Sequence, residues 1–129
     1  PAKMKPGRME TPVQITDWMP TFCSLAGFQS EHDLNWDGMD LSRFLTDSTP
    51  LPSRSLYAVG PNWRSVSLRS GDWKLIVHGE GEKQQVELFN LASDPSERSN
   101  LADSEPVRVK GMHVELESMA SGDKESVVP

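Results

Sequence analysis

Between residues 55 and 101, apolar and polar positions alternate in short runs separated by turn residues, the period-two pattern of half-buried strands. Ser55 to Val59 predicts a first strand, followed by a turn at Gly60-Pro61-Asn62-Trp63. Val66 and Leu68 then alternate with polar neighbours, and Ser70-Gly71-Asp72 supplies a turn in which Gly71 can take a positive φ. Trp73-Lys74-Leu75-Ile76-Val77 is the strongest strand pattern of the chain. A polar turn from Gly79 to Lys83 follows, and Val86, Leu88 and Leu91 carry the last strand. Short turns between successive strands predict an antiparallel meander. Asp94 to Asn100 reads as a turn with local capping side chains. From about Pro106 to Met119 the period becomes helical. Val109, Met112, Leu116 and Met119 share a face that would cover one side of the sheet.

Upstream, the pattern is shorter. Thr11 to Ile15 predicts a brief strand or an extended lead-in, and Asp17 a helix N-cap with Pro20 tolerated in the first turn. Trp18, Met19, Phe22, Leu25 and Ala26 form one apolar face, and Gly27 stands at the expected C-terminal stop, so a short, mostly buried helix is predicted. Gln29 to Trp36 is a polar loop. Asp40 to Leu45 predicts one helical turn with Leu41, Phe44 and Leu45 inward. The Thr-, Ser- and Pro-rich run Thr46 to Ser53 marks a boundary, dividing residues 1–48 from residues 49–129. The expected fold class is α+β, a small antiparallel four-stranded sheet packed with a C-terminal helix.

Composition narrows this reading. In 129 residues with a net charge of -6, residues 1–48 carry 4 basic and 7 acidic side chains and residues 49–129 carry 9 and 12. Neither part offers the basic patch that a phosphate backbone requires, so nucleic acid is not an expected partner. No apolar run approaches the roughly 20 residues that span a bilayer. No charged segment followed by an apolar core opens the chain. Pro1 to Gly7 reads as the middle of a longer sequence, which leaves targeting open. The single cysteine, Cys23, rules out an internal disulfide and a cysteine-rich zinc site.

Few residues suggest chemistry. Asp33-Leu34-Asn35-Trp36-Asp37-Gly38 matches the opening of an EF-hand calcium loop, but the position that needs a bidentate carboxylate is Phe44. A polar loop ending in an Asp-Gly turn is expected instead. Cys23 lies between apolar neighbours and reads as structural rather than reactive. His32, His78 and His113 have no metal-ligand spacing, and Ser65, Ser67 and Ser70 lack the Gly-x-Ser-x-Gly elbow. No catalytic residue and no metal ligand is assigned. Asn62, Trp63 and Arg64 are the candidate ligand-binding group: Trp63 offers a flat face to a sugar ring, and Arg64 a fork for a sulfate or carboxylate. Equally, Trp63 could cap the sheet and Arg64 could make a surface ion pair.

Several stretches, in order, resemble the C-terminal part of the sulfatases, the alkaline-phosphatase-like hydrolases of sulfate esters. They are Val13, Asp17, Pro20-Thr21 and Leu25-Ala26-Gly27; then Asp37-Gly38-Met39-Asp40-Leu41 with Leu45; then Val66 to Ile76. Glu87-Leu88-Phe89-Asn90-Leu91, Asp94-Pro95-Ser96-Glu97 and Asn100-Leu101-Ala102 complete the series, and Pro1 to Gly7 is similar to the segment that precedes it. The resemblance implies that residues 1–48 are the last helix and connections of an α/β sulfatase catalytic domain, and residues 49–129 its small C-terminal subdomain. It also implies a formylglycine nucleophile made from a Cys-x-Pro-Ser-Arg motif, and a Ca2+ ion. Cys23 is followed by Ser24-Leu25-Ala26, so both groups would belong to a catalytic part outside this chain. The chain alone is expected to be inactive. Its implied partners are that N-terminal catalytic domain and a sulfate-ester substrate, a glycan among the candidates; the implied location is periplasmic, secreted or lysosomal. In the family the small domain borders the active-site cleft, which favours Asn62, Trp63 and Arg64 as substrate contacts. With the catalytic sheet absent, Trp18, Phe22 and Leu25 would be exposed. The alternatives are a non-catalytic packing or carbohydrate-binding module, and a related phosphoryl or sulfonyl hydrolase.

Overall fold

The computed structural model describes residues 7–61, 64–79 and 81–122. The expectations for Pro1 to Pro6 and for Asn62 and Trp63 therefore concern residues outside the described range. A 3-10 turn at Ile15–Asp17 leads into α1 (Trp18–Leu25), followed by α2 (Ser42–Asp47). Four strands follow, β1 (Ser55–Val59), β2 (Ser65–Ser70), β3 (Trp73–His78) and β4 (Gln85–Asn90), and then α3 (Pro106–Ala120). The chain divides into two compact units between Ser53 and Arg54.

The first unit is organised by hydrogen bonds to two fully buried polar side chains, Asp17 and Thr21. Asp17 Oδ2 accepts the Gln14 N–H at 2.7 Å and Oδ1 accepts the Met39 N–H at 2.8 Å. The Thr21 hydroxyl donates to the Asp17 carbonyl at 2.6 Å and accepts the Leu41 N–H at 2.9 Å. This fastens the 38–41 segment to the start of α1 and leaves these buried groups satisfied. Gly38 completes the contact, because a Cβ there would overlap the Thr16 carbonyl. Leu41, 1% exposed, fills the space beneath. Asp40 accepts the Ser42 N–H at 2.7 Å and the Ser42 hydroxyl at 3.0 Å, which starts α2.

Three expectations are refined here. Asp17 stands at the N-cap position of α1 as expected, but its carboxylate reaches back to Gln14 and across to Met39, and no side-chain bond closes the helix start. Nor is α1 mostly buried, since only Pro20 and Thr21 are; Met19, Phe22 and Leu25 are exposed, as expected of Phe22 and Leu25 without a catalytic sheet, whereas Trp18 is half-buried. The inward face is chosen by the polar bonds of Asp17 and Thr21, and these turn the large apolar side chains outward. Trp18 and Phe22 cover one another instead, stacked with centroids 5.6 Å apart. Finally, Thr11 to Ile15 enters no sheet; of the two expectations the extended lead-in holds, with Gln14 at φ -115° and ψ 161° just before the 3-10 turn.

The second unit is the meander, with strand order β1-β2-β3-β4, every pair antiparallel. The register sets Tyr57, Leu68, Leu75 and Leu88 in one row across all four strands, and Val66, Val77 and Val86 in the next. α3 lays Met112 and Leu116 against this face, and Leu68, Leu75 and Leu88 are fully buried beneath it. Each such leucine contributes roughly 1.5–3 kcal/mol of transfer free energy. Met119 does not join them; at 38% exposed it lies beyond the covered face. The Arg108 guanidinium lies 4.1 Å from the centroid of the Trp73 ring, closing one end of the layer. Leu91, expected in the last strand, falls just past β4, where its N–H donates to the Asp72 carbonyl at 2.7 Å.

The loop after β4 is held by its polar side chains. Asp94 Oδ2 accepts the N–H groups of Arg98 and Ser99 at 2.7 and 2.9 Å, and Asn90 Oδ1 accepts those of Ala92 and Ser93. Asn100 Oδ1 accepts the Leu88 N–H at 3.0 Å and its amide donates to the Val86 carbonyl at 3.3 Å, while the Leu101 N–H donates to the Leu88 carbonyl at 2.8 Å. These bonds lay the loop along the outer edge of β4. Glu97, at φ +54°, sends both carboxylate oxygens to Lys74 Nζ on β3 at 2.8 Å.

Candidate functional site

Arg64 stands immediately before β2, its N–H donating to the Pro61 carbonyl at 3.3 Å and its own carbonyl accepting the Gly79 N–H at 3.0 Å. These bonds carry the β2–β3 pairing one step past the last paired residues, Ser65 and His78, and fix the backbone from which the side chain leaves. The side chain is exposed, and among the described residues its guanidinium has no hydrogen-bond or ion-pair partner. Beside it opens a cleft of about 170 Å³, walled by Arg64 and Gln84 on one side and His113 and Glu117 of α3 on the other, over Val77 and Leu116. His113 Nδ1 and Glu117 Oε1 are 3.3 Å apart, one helical turn from each other. The space suits a single charged group better than a whole drug-sized ligand, whose pockets run from about 300 Å³ upward.

Of the three residues expected to meet a ligand, Asn62 and Trp63 lie outside the described range, and only Arg64 can be placed. The fold adds Gln84, His113 and Glu117 to it. The sequence separates Arg64 from His113 by most of the sheet, and only the packing of α3 across β2 and β3 brings them together.

A larger cleft, about 600 Å³, lies in the first unit, with Cys23, Phe28, His32, Asp33, Trp36 and Asp40 among its lining residues. The loop that opens like a calcium site closes on itself here: Asp33 Oδ1 accepts the Asn35 N–H at 2.9 Å, and Asn35 takes φ +47°. Its carboxylates are not gathered round a common point, and among the described residues no three His, Cys, Asp or Glu side chains could hold a metal ion together. Partial burial pushes the Asp40 carboxyl upward, but the hydrogen bonds from Ser42 and Ser24 outweigh it and hold the group below its ordinary range. Cys23 is half-buried and free, and no general base is bonded to it.

No family model matches the chain. Sequence relatives nevertheless agree with one another. The chain is 28% identical to arylsulfatase K of Xenopus laevis over 137 aligned residues, which covers 96% of this chain and 25% of the relative. It is 32% identical to choline-sulfatase of Rhizobium meliloti, covering 77% of this chain and 19% of that protein. Among solved structures, a protein of Bacteroides fragilis assigned as a sulfatase superposes with a TM-score of 0.70 at 25% identity, covering 92% of this chain and 27% of the other. The meander, its covering helix and these likenesses define the class as the sulfatases. Within it the chain corresponds to a C-terminal portion, spanning about a quarter of the length of the arylsulfatase K it matches.

Proposed function

We propose that the protein to which this chain belongs hydrolyses sulfate esters, and that the chain lines the approach to the reacting centre without supplying its reactive groups. The observation that carries this reading is the likeness to arylsulfatase K along 96% of the chain. A calcium ion and a formylglycine, implied by the resemblance, do not fit the residues present. The Asp33 carboxylate turns back onto the Asn35 N–H, among the described residues no three His, Cys, Asp or Glu side chains could hold a metal ion together, and Cys23 stands in α1 without the Pro-Ser-Arg context. Both groups therefore belong to the remaining part of the enzyme under this reading, and no step is derived through them.

Arg64 has the stronger claim to a substrate contact among the described residues. An exposed guanidinium at a sheet end, held by a fixed backbone, can receive a sulfate or a sugar carboxylate through two parallel N–H donors. The class of ester, a sugar sulfate included, and an exported or lysosomal location belong to the same proposal.

The experiment is turnover of an aryl sulfate by the intact protein and by the 129-residue chain. Turnover by the intact protein alone is expected. Turnover by the chain alone, or a preference of the intact protein for phosphate esters, overturns the assignment. In the intact enzyme Arg64→Ala should raise KM about tenfold with little change in kcat, as expected for one lost charge-assisted hydrogen bond. An unchanged KM removes Arg64 from the substrate path.

A further inference from the structure

The first unit carries a cleft in which large apolar side chains stand beside acidic ones. Phe28, Leu34 and Trp36 line it and are 55%, 45% and 40% exposed. Asp33 and Asp40 line it too, and Glu31 and Asp37 stand beside them in the same exposed loop. Against the effect of burial, hydrogen bonds from Ser42 and Ser24 hold the Asp40 carboxyl below its ordinary range, and each bonded oxygen retains a lone pair for a further donor. Among the described residues, His32 is the one basic side chain lining it. Three large exposed side chains in one cleft of about 600 Å³ are more than scattered surface apolar residues require.

We infer that this cleft receives an apolar segment, carrying a Lys or Arg opposite Asp33 and Asp40, from the part of the sulfatase that this chain does not contain. The inference rests on the reading of the chain as a sulfatase portion. Two observations select this occupant over a second copy or a small ligand. The chain spans 25% of the length of the arylsulfatase K it matches, so about three quarters of such a protein is available to cover it. The charged lining is acidic, so two copies of the same cleft would repel, whereas a basic side chain flanked by apolar ones complements both kinds of lining residue. The partner's cation would be desolvated beside carboxylates already held in place, the arrangement in which a charge pair selects its partner most strongly.

Cys23 lines the cleft and is the only cysteine of the chain, which makes it a reporter of occupancy. Its alkylation rate, followed by mass spectrometry of the peptide containing it, should be about tenfold or more slower in the intact protein than in the 129-residue chain, since a covered thiol reacts only through opening. Equal rates overturn the inference. In the intact protein Asp40→Lys should restore fast alkylation and Asp40→Asn should restore it less. No acceleration by either charge change excludes the basic partner. Turnover of an aryl sulfate by the intact protein is read separately: protection of Cys23 without turnover keeps the docking surface and discards the sulfatase reading. Protection of Cys23 in the isolated chain that depends on its concentration identifies a second copy as the occupant, and overturns the inference.

Discussion

Gly38 shows how little space a motif residue can have. A methyl group there would enter the carbonyl of Thr16 and press on the Asp17 nitrogen, both backbone atoms, so relief requires moving the 3-10 turn itself. Gly38→Ala should therefore destabilise the first unit by about 1–3 kcal/mol, an ordinary cost of overpacking, read as a lower urea midpoint; an unchanged midpoint would mean that the two segments separate freely. Asp40 has a signature of a different kind. Its carboxyl is held below 3.8 in the folded chain, so it binds a proton less readily folded than unfolded, and its contribution is complete above pH 3.8 and is lost as the pH falls below it. Asp40→Asn should flatten the stability profile below pH 3.8, read by urea unfolding at a series of acid pH values, without altering its slope above. Glu97 pairs with Lys74 from a left-handed backbone conformation that side chains disfavour. Glu97→Gly relieves the backbone as it breaks the pair, and should cost less than Glu97→Gln, which breaks the pair and leaves the strain; the reverse order in urea unfolding would show that the left-handed backbone stores little strain.

Among the elements, the helix that covers the sheet separates packing from propensity. Leu116 is 4% exposed against Leu68 and Leu75, and Val114, two residues earlier and on the opposite side of the helix, is 60% exposed. Leu116→Ala should cost about 2–5 kcal/mol, and Val114→Ala should stay within about 0.5 kcal/mol; similar losses from both would place α3 off the sheet. This element was legible in the sequence because its face, its proline start and the strand row beneath it repeat at fixed periods. The strands were legible for the same reason, β1 to the residue. Helix α1 was not. Periodicity shows that Met19, Phe22 and Leu25 share a face, but which face turns inward is decided by Asp17 and Thr21 binding N–H groups some twenty residues further on. No local pattern carries that information. Arg64 was singled out by its residue type, whereas its neighbours across the cleft, His113 and Glu117, come from the other end of the unit and could be found only by folding it.

For the whole molecule, the two units differ in how much of their apolar surface they cover. The sheet unit buries a continuous row from β1 to β4 under its own helix, while the first unit closes around two polar side chains and one leucine. Amide hydrogen exchange in the 129-residue chain should be slower across β3 and β4 than anywhere in α1 and α2, because the latter can open without uncovering a large core. Equal protection would show that the first unit is stable without a covering partner. The sulfatase resemblance was readable for the same structural reason. Asp17, Gly38, Asp94 and Asn100 are motif positions that hold backbone in place, and such constraints survive in a portion of a protein remote from its chemistry.

The loop laid along β4 has a consequence for how the chain behaves among copies of itself. Asn100 and Leu101 occupy the outward N–H and carbonyl of Leu88 and the carbonyl of Val86, so a foreign strand arriving at that side finds its hydrogen-bonding positions taken. Fibrillar growth by strand addition is thereby closed at β4. Asn100→Ala, which frees the Leu88 N–H and the Val86 carbonyl together, should convert a soluble chain into one that seeds thioflavin-positive aggregates at concentrations the wild type tolerates.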